Sequence, residues 1–149
     1  MSQTYFGSAL RSGSGTLTDS VDGGFVVLAQ TSTVTTNADG TASSTSVTIP
    51  SGSQIINIFI DQTQNETVGG GTATAINATV GTAAAGTQYV SATDVIGGGR
   101  AALTFTAAQL AAMADVGANT SVYLTVDPNG TIATTQGIYR LTVVYAQKG

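Results

Sequence analysis

The distribution of apolar and polar residues predicts a chain built mainly of β-strands. From Phe25 onward, stretches rich in Val, Ile and Thr alternate with turns that contain Gly, Asn, Asp or Pro, a pattern typical of short antiparallel strands. The clearest predicted strands span residues 25–36, 44–49, 54–62, 72–80, 88–92, 121–126 and 138–146. Together with two weaker segments, at 101–105 and 131–135, they make eight or nine strands. We predict an all-β fold, an antiparallel two-sheet sandwich of jelly-roll type.

One hairpin is predicted near the C-terminus. The alternating segment 121–126 is followed by the turn sequence Asp-Pro-Asn-Gly at 127–130. Pro128 suits the second position of a turn, and Gly130 suits a position with positive φ. We therefore expect residues 131–135 to return antiparallel to residues 121–126.

The predicted strand 54–62, QIINIFIDQ, is apolar on both sides, whereas a strand with one face on the core alternates. Its large apolar residues are Ile55, Ile56, Ile58, Phe59 and Ile60. One face is expected to pack on the opposing sheet. The other is expected to be covered by the N-terminal residues, by a helix or by another copy of the chain. Ile55 and Phe59 are accordingly candidate contact residues for an oligomer or a capsid.

A single short helix is predicted near residues 107–115. Thr106 and Gln109 have the spacing of a capping box, and the residues between them and Asp115 are mostly strong helix formers. Gly117 suits the position that ends a helix. The predicted apolar stripe consists of Leu110, Met113 and Ala114. We expect this helix to close one end of the sandwich.

The chain divides into an extended N-terminal arm, residues 1–24, and a β-sandwich domain, residues 25–149. The arm has five glycines among many Ser and Thr residues, and such a segment frays unless it is docked. We expect it to dock, either on its own sandwich or on a neighbouring copy. Its candidate contact residues for an oligomer or a capsid are Tyr5, Phe6, Leu10 and Arg11.

Charge is scarce, and its distribution argues against several classes of partner. Charged residues are 8% of the chain, against about 25% in an ordinary soluble domain. The four basic residues are spread out and form no basic stripe, so we expect no nucleic-acid partner. No apolar run reaches the ~18 residues of a membrane span, and the N-terminus lacks a secretory signal pattern, so we expect cytoplasmic synthesis and no membrane partner.

Residues that carry catalysis or hold metals are missing or badly placed. The chain has no His and no Cys, which removes the common nucleophilic triads and most zinc sites. Asp61 and Glu66 lie near one another beside a glycine loop and are the least unfavourable acidic pair, but acidic residues in turns usually serve local hydrogen bonds. The segments 19–24 and 126–130 read as ordinary turns and do not have the spacing of a calcium loop. We expect no enzyme activity and no cofactor.

Four segments together resemble small β-sandwich virion proteins of tailed bacteriophages. They are IPSGSQIINIFID at 49–61, VGT at 80–82, LTFTAAQLAAMADVGANTSVYLTV at 103–126 and GIYRLTVVYAQ at 137–147. The resemblance implies a capsid decoration (cement) or head-spike protein located on the capsid surface of the virion. It also implies that the partners are its own copies, as a homotrimer, and the major capsid protein. No catalytic residue is implied.

Two other roles are compatible with a stable, weakly charged β-sandwich. A phage tail or fibre module that recognises a host receptor would need an exposed aromatic or acidic loop patch, of which the sequence shows little. A bacterial surface adhesin would need a secretory signal, which we do not find at the N-terminus. A surface with few charges favours contacts between protein copies, because it lacks the self-repulsion that keeps small proteins monomeric.

Overall fold

The computed structural model describes residues 25–67 and 70–148, which form eight strands and one helix. In chain order these are β1 (Phe25–Thr35), β2 (Ser43–Ile49), β3 (Ser53–Gln64), β4 (Ile76–Gly81), β5 (Val90–Asp94), β6 (Gly99–Arg100), α1 (Ala107–Ala114), β7 (Thr120–Pro128) and β8 (Ile138–Lys148). The predicted arm, residues 1–24, lies outside the described residues, and with it the candidate contacts Tyr5, Phe6, Leu10 and Arg11.

The strands form two four-stranded antiparallel sheets. The first sheet has the order β1-β8-β3-β6 and the second the order β2-β7-β4-β5. The pairs β1–β8, β2–β7, β3–β6 and β4–β5 join the first half of the chain to the second half, as in one long hairpin. The remaining pairs, β3–β8 and β4–β7, form when that hairpin is rolled up. This connectivity is a jelly roll, so the predicted fold class is confirmed.

The core lies between the two sheets and is built from alternate residues of their strands. On β7 and β8 the completely buried side chains are Val122, Leu124, Val126, Tyr139, Leu141 and Val143. They are β-branched, branched aliphatic or aromatic, the types that fit a pleated sheet packed on one face. Each such side chain contributes about 1.5–3 kcal/mol relative to an exposed position.

Helix α1 begins as predicted but packs differently. Thr106 and Gln109 form the capping box, with the Gln109 backbone N–H donating to Thr106 Oγ1 at 3.2 Å and the Thr106 N–H donating to Gln109 Oε1 at 2.9 Å. Met113 is buried in the core, but Leu110 is 53% exposed and Ala114 is exposed too, so the predicted apolar stripe is wrong at both positions. The helix ends at Asp115, whose backbone is extended, so Gly117 does not occupy the position directly after the helix.

Helix α1 contacts both sheets. It packs against β3 of the first sheet. Towards the second sheet, Gln109 Nε2 donates to the Thr87 carbonyl at 3.3 Å and to Ser91 Oγ at 3.0 Å, just before and within β5. The buried residue that fixes the helix on this side is therefore a glutamine, not a leucine.

The predicted hairpin after residue 126 is wrong. β7 continues to Pro128, which pairs with Ile76 of β4, and Gly130 is not among the residues with positive φ. The physical reason is that β7 lies in the middle of its sheet. Its two edges are already occupied by β2 and β4, so no edge is left for residues 131–135. The chain instead crosses to the first sheet, where β8 begins.

Candidate functional site: the outer face of the first sheet

A bulge in β3 explains why this strand is apolar on both sides. Ile55 pairs with Tyr145 of β8, and Asn57 pairs with the next residue, Val144, so Ile56 is an additional residue without a partner. A bulge resets the alternation of the strand. As a result Ile55, Ile58 and Ile60 all face the core, whereas Ile56 is 49% exposed.

The outer face of the first sheet is a surface with few polar and almost no charged groups. We define this outer face by residues that point away from the core in the middle of its three long strands: Val27, Ala29 and Thr31 of β1, Thr142 and Val144 of β8, and Ile56, Asn57 and Phe59 of β3. Val27 is 59% exposed, the largest exposure among the large apolar side chains of the described residues. Exposed apolar residues scattered singly need no explanation, but a neutral sheet face flanked by charge fits an interaction surface.

Register places these residues in rows across the sheet. Val144 lies between Ala29 and Asn57, and the neighbouring Thr142 lies between Thr31 and Phe59. Adjacent strands are about 4.8 Å apart. The outer face is thus continuous over three strands and has only uncharged side chains in these two rows, with Asn57 as the largest polar one.

A charged row lies at one end of the outer face. Asp61 of β3 pairs with Arg140 of β8 on one side and with Arg100 of β6 on the other. Arg100 Nε and Nη2 donate to the two carboxylate oxygens of Asp61 at 2.7 and 3.3 Å, and Arg140 Nη2 donates to Asp61 Oδ2 at 3.2 Å. One carboxylate between two guanidinium groups leaves this end of the outer face with a net positive charge.

Arg100 also covers part of Phe59. The guanidinium carbon lies 4.4 Å from the centre of the Phe59 ring, within the range of a cation–π contact. The hydrogen bonds from Arg100 hold the pKa of the Asp61 carboxyl below its usual value, and Arg140 acts in the same direction. Asp61 thus remains ionised and fixes both arginines beside the outer face.

Of the two predicted contact residues on β3, only Phe59 lies on the outer face. Phe59 lies on the outer face, half-buried under Arg100. Ile55 is only 3% exposed and packs in the core, as does its cross-strand partner Tyr145, so its side chain is not on the outer face. Its exposed neighbour Ile56 occupies the outward position that the sequence predicts for Ile55. No sequence signal marks the bulge that separates them.

Asp61 and Glu66, the acidic pair considered for catalysis, do not lie in one common site. Asp61 lies on the outer face between the arginines. The next residue, Gln62, points to the opposite face of β3 and donates through Nε2 to Glu66, which also accepts the Tyr139 hydroxyl at 2.9 Å. Burial, together with this carboxylate, raises the pKa of Tyr139 above its usual value. The two carboxylates are therefore engaged in separate hydrogen-bond networks.

Residues 25–67 and 70–148 contain no group of three or more acidic, His or Cys side chains arranged to hold a metal ion. The described part of the chain also has no helix of the length and hydropathy needed to cross a bilayer.

Comparison with known proteins adds no relationship to this picture. No family model, no curated protein and no solved structure matches the chain.

Proposed function

We propose that the protein is a non-enzymatic structural protein of a bacteriophage virion, which decorates and stabilises the capsid through contacts between β-sandwiches. The observation that carries this proposal is the outer face of the first sheet, where Val27 and Ile56 are exposed on a neutral surface. The resemblance of the sequence to small phage virion proteins supports the choice of a capsid as the setting.

The outer face suits a protein partner because covering it costs little. Its side chains are apolar, carry one hydroxyl group or, at Asn57, carry one amide, and such groups lose less hydration on burial than Lys or Glu side chains. Covering apolar area contributes about 25 cal/mol per Å² before the costs of association. The charged row would also orient the partner, because Arg100 and Arg140 attract an acidic side chain to one end of the outer face.

The partners we propose are two further copies of the chain, in a closed homotrimer, and the major capsid protein. In a closed symmetric oligomer the interface of every copy is occupied by another copy, so assembly stops at a defined number of copies. Contacts repeated over a shell resist separation of its subunits even when each contact is modest, because binding at several points multiplies the effective affinity.

A binding experiment with one matched pair of variants tests the proposal. Purified protein is added to phage shells assembled without it, and the bound copies and the melting temperature of the shells are measured. We expect binding in multiples of three and an increased melting temperature. Ile56→Lys should reduce binding at least tenfold, because it places a charge in the neutral face.

Leu110→Lys provides the control. Leu110 is exposed to nearly the same extent as Ile56, but it lies on helix α1 and not on the outer face. Its binding should match that of the unmodified protein. Equal losses for the two variants, or a protein that stays monomeric and ignores the shells, would overturn the proposal. Binding to host cells alone would favour the tail or fibre role.

A further inference from the structure

The two sheets of the sandwich carry opposite charge. The strands of the first sheet, β1, β3, β6 and β8, contain three basic residues and one acidic residue, Asp61. The strands of the second sheet, β2, β4, β5 and β7, contain two acidic residues, Asp94 and Asp127, and no basic residue. One sheet is therefore positive and the other negative.

The acidic residues of the second sheet lie in one row. Asn77 of β4 pairs with Asp127 of β7 on one side and with Asp94 of β5 on the other, and we call these three residues the acidic row. Asp94 is held locally, because its Oδ1 accepts the backbone N–H of Ile76 and of Ile96, each at 3.1 Å. Asp127 is exposed and points away from the core, since the residues on either side of it on β7 are buried. Asp127 is therefore the carboxylate of this row that is best placed to reach a partner.

The acidic row and the charged row of the first sheet have the same layout. Each extends over three neighbouring strands, which are about 4.8 Å apart. The charged row has an arginine at each end and a carboxylate in the middle, whereas the acidic row has a carboxylate at each end and an amide in the middle. When two such rows face one another, each arginine meets a carboxylate, and the amide of Asn77 can donate to Asp61.

Uncharged surface adjoins both rows. Two residues before Asp127 on β7, Thr125 Oγ1 accepts the Ala85 N–H at 2.7 Å, which holds the loop 82–87 against the second sheet. Three consecutive alanines of this loop, residues 83–85, are exposed. Beside the charged row lies the neutral part of the outer face of the first sheet. Both surfaces thus combine charge with apolar area, as protein interfaces do.

The two rows lie at the same end of the sandwich, on opposite sides. Asp127 stands just before the connection 129–137, which joins β7 to β8, and Arg140 stands just after it. Copies that meet through these rows touch at this end and converge there. A contact between two different surfaces of identical copies closes into a ring when the rotation between them permits.

We infer that copies of the protein join head to tail, with the acidic row of one copy against the charged row of the next. The inference rests on the proposed function, because it names the contact that closes the homotrimer. The central ion pair joins Asp127 of one copy to Arg140 of the next. Arg100 is the less available arginine, since it binds both carboxylate oxygens of Asp61 and covers Phe59.

The occupant of the charged row is a copy's second sheet and not a copy's first sheet. The second sheet supplies carboxylates at the spacing of the arginines. The strands of the first sheet offer only Asp61, which two arginines of its own chain already bind. Two first sheets placed face to face therefore leave their arginines without a new counter-charge.

A charge-swap experiment in solution, without shells, tests this inference. Sedimentation velocity and native mass spectrometry count the assembled copies over a range of protein concentrations. Asp127→Arg and Arg140→Glu should each weaken assembly at least about tenfold, because each places like charges opposite one another. The double variant restores opposite charges across every contact and should recover most of that loss.

Asp115→Arg is the matched control. It makes the same change of charge at an exposed position directly after helix α1, outside both rows, and should assemble like the unmodified protein. Arg140→Gln serves as a second variant, because it removes the arginine without placing a carboxylate beside Asp61, and it should also weaken assembly. Chemical unfolding at concentrations that keep the copies apart verifies that each variant is folded.

Equal assembly of Asp127→Arg and Asp115→Arg, or a folded double variant that recovers nothing, would overturn the inference. A protein that binds shells while its copies stay apart in solution would also overturn it and leave the decoration of the capsid standing. Assembly that follows the charges without any binding to shells would support the head-to-tail contact and overturn the proposed function.

Discussion

Asp61 on β3 and Arg140 on β8 are direct partners across the first sheet, and their side chains form an ion pair of 3.2 Å on its outer face. Arg100 from β6 binds the same carboxylate from the other side. A single acidic residue thus holds two cations from two different strands. The arrangement ties the short strand β6 to the sheet by side chains as well as by its few main-chain hydrogen bonds.

Replacing Asp61 by Asn should destabilise the protein by about 1–2 kcal/mol. The carboxylate is nearly buried, and its removal leaves two arginines close together without a counter-charge. The loss stays modest because both guanidinium groups are partly exposed and water screens them. Chemical denaturation measures the free energy of unfolding. Asp127→Asn, at an exposed position on β7, is the control and should change it by less than about 0.5 kcal/mol.

The same carboxylate should make stability depend on acid pH. The pKa of Asp61 is lowered in the folded protein relative to its usual value, chiefly by the hydrogen bonds from Arg100. A group with a lowered folded pKa contributes stability above its unfolded pKa and loses it as the pH falls through the folded pKa. The difference in unfolding free energy between the unmodified protein and Asp61→Asn should therefore be constant from about pH 7 to about pH 5 and shrink below about pH 4.

Comparing the unmodified protein with Asp61→Asn removes the contribution of the other acidic residues to the pH dependence of stability. The pKa of Asp39 is also lowered, by hydrogen bonds from Thr41, but Asp39 is present in both proteins and its effect cancels. A difference that stays constant down to about pH 3 would show that the ion pairs contribute nothing through the ionisation of Asp61.

The sequence predicts the jelly roll well because strand alternation and turn residues are local signals. Val122, Leu124 and Val126 face the core as their spacing indicates. The prediction of a hairpin after residue 126 is wrong for a non-local reason. The turn residues are present, but both edges of β7 are occupied by β2 and β4, which are distant in the sequence.

The outer face could be predicted only in part. The apolar run 54–62 indicates that something unusual happens on both sides of this strand, but not which residue faces out. That depends on the bulge at Ile56, which is defined by its pairing with β8 more than 80 residues later. The pairing of Asp61 with both Arg100 and Arg140 is equally non-local, and no spacing in the sequence indicates it.

The bulge predicts unequal losses of stability for two isoleucines that are two residues apart. Ile58→Ala opens a cavity in the core and should destabilise the protein by about 2–5 kcal/mol. Ile56→Ala shortens an exposed side chain and should cost less than about 1 kcal/mol. Thermal or chemical unfolding of the two variants measures the difference. Similar losses would mean that Ile56 is covered within the folded chain.

In helix α1 a polar side chain, Gln109, is buried, whereas the adjacent apolar side chain, Leu110, is exposed. Gln109 is buried and takes part in three contacts: it caps the helix at Thr106 and donates to Thr87 and Ser91. Gln109→Ala should cost about 1–3 kcal/mol, because the carbonyl of Thr87 loses its donor and the N–H of Thr106 loses its acceptor, although the N–H of residue 109 can still donate to Thr106 Oγ1. Leu110→Ala, next to it and exposed, should cost less than about 0.5 kcal/mol.

Gln109→Glu separates the two roles of this side chain. A glutamate keeps an oxygen for the Thr106 N–H but has no N–H to donate to Thr87 and Ser91, and it brings a charge into a buried position. We expect Gln109→Glu to be at least as destabilising as Gln109→Ala near neutral pH, and to regain part of the loss at acid pH, where the protonated carboxyl can donate. Hydrogen exchange at the amides of β5 should rise in both variants. If Gln109→Glu is as stable as the unmodified protein, the cap alone fixes the helix, and the contacts to Thr87 and Ser91 contribute nothing.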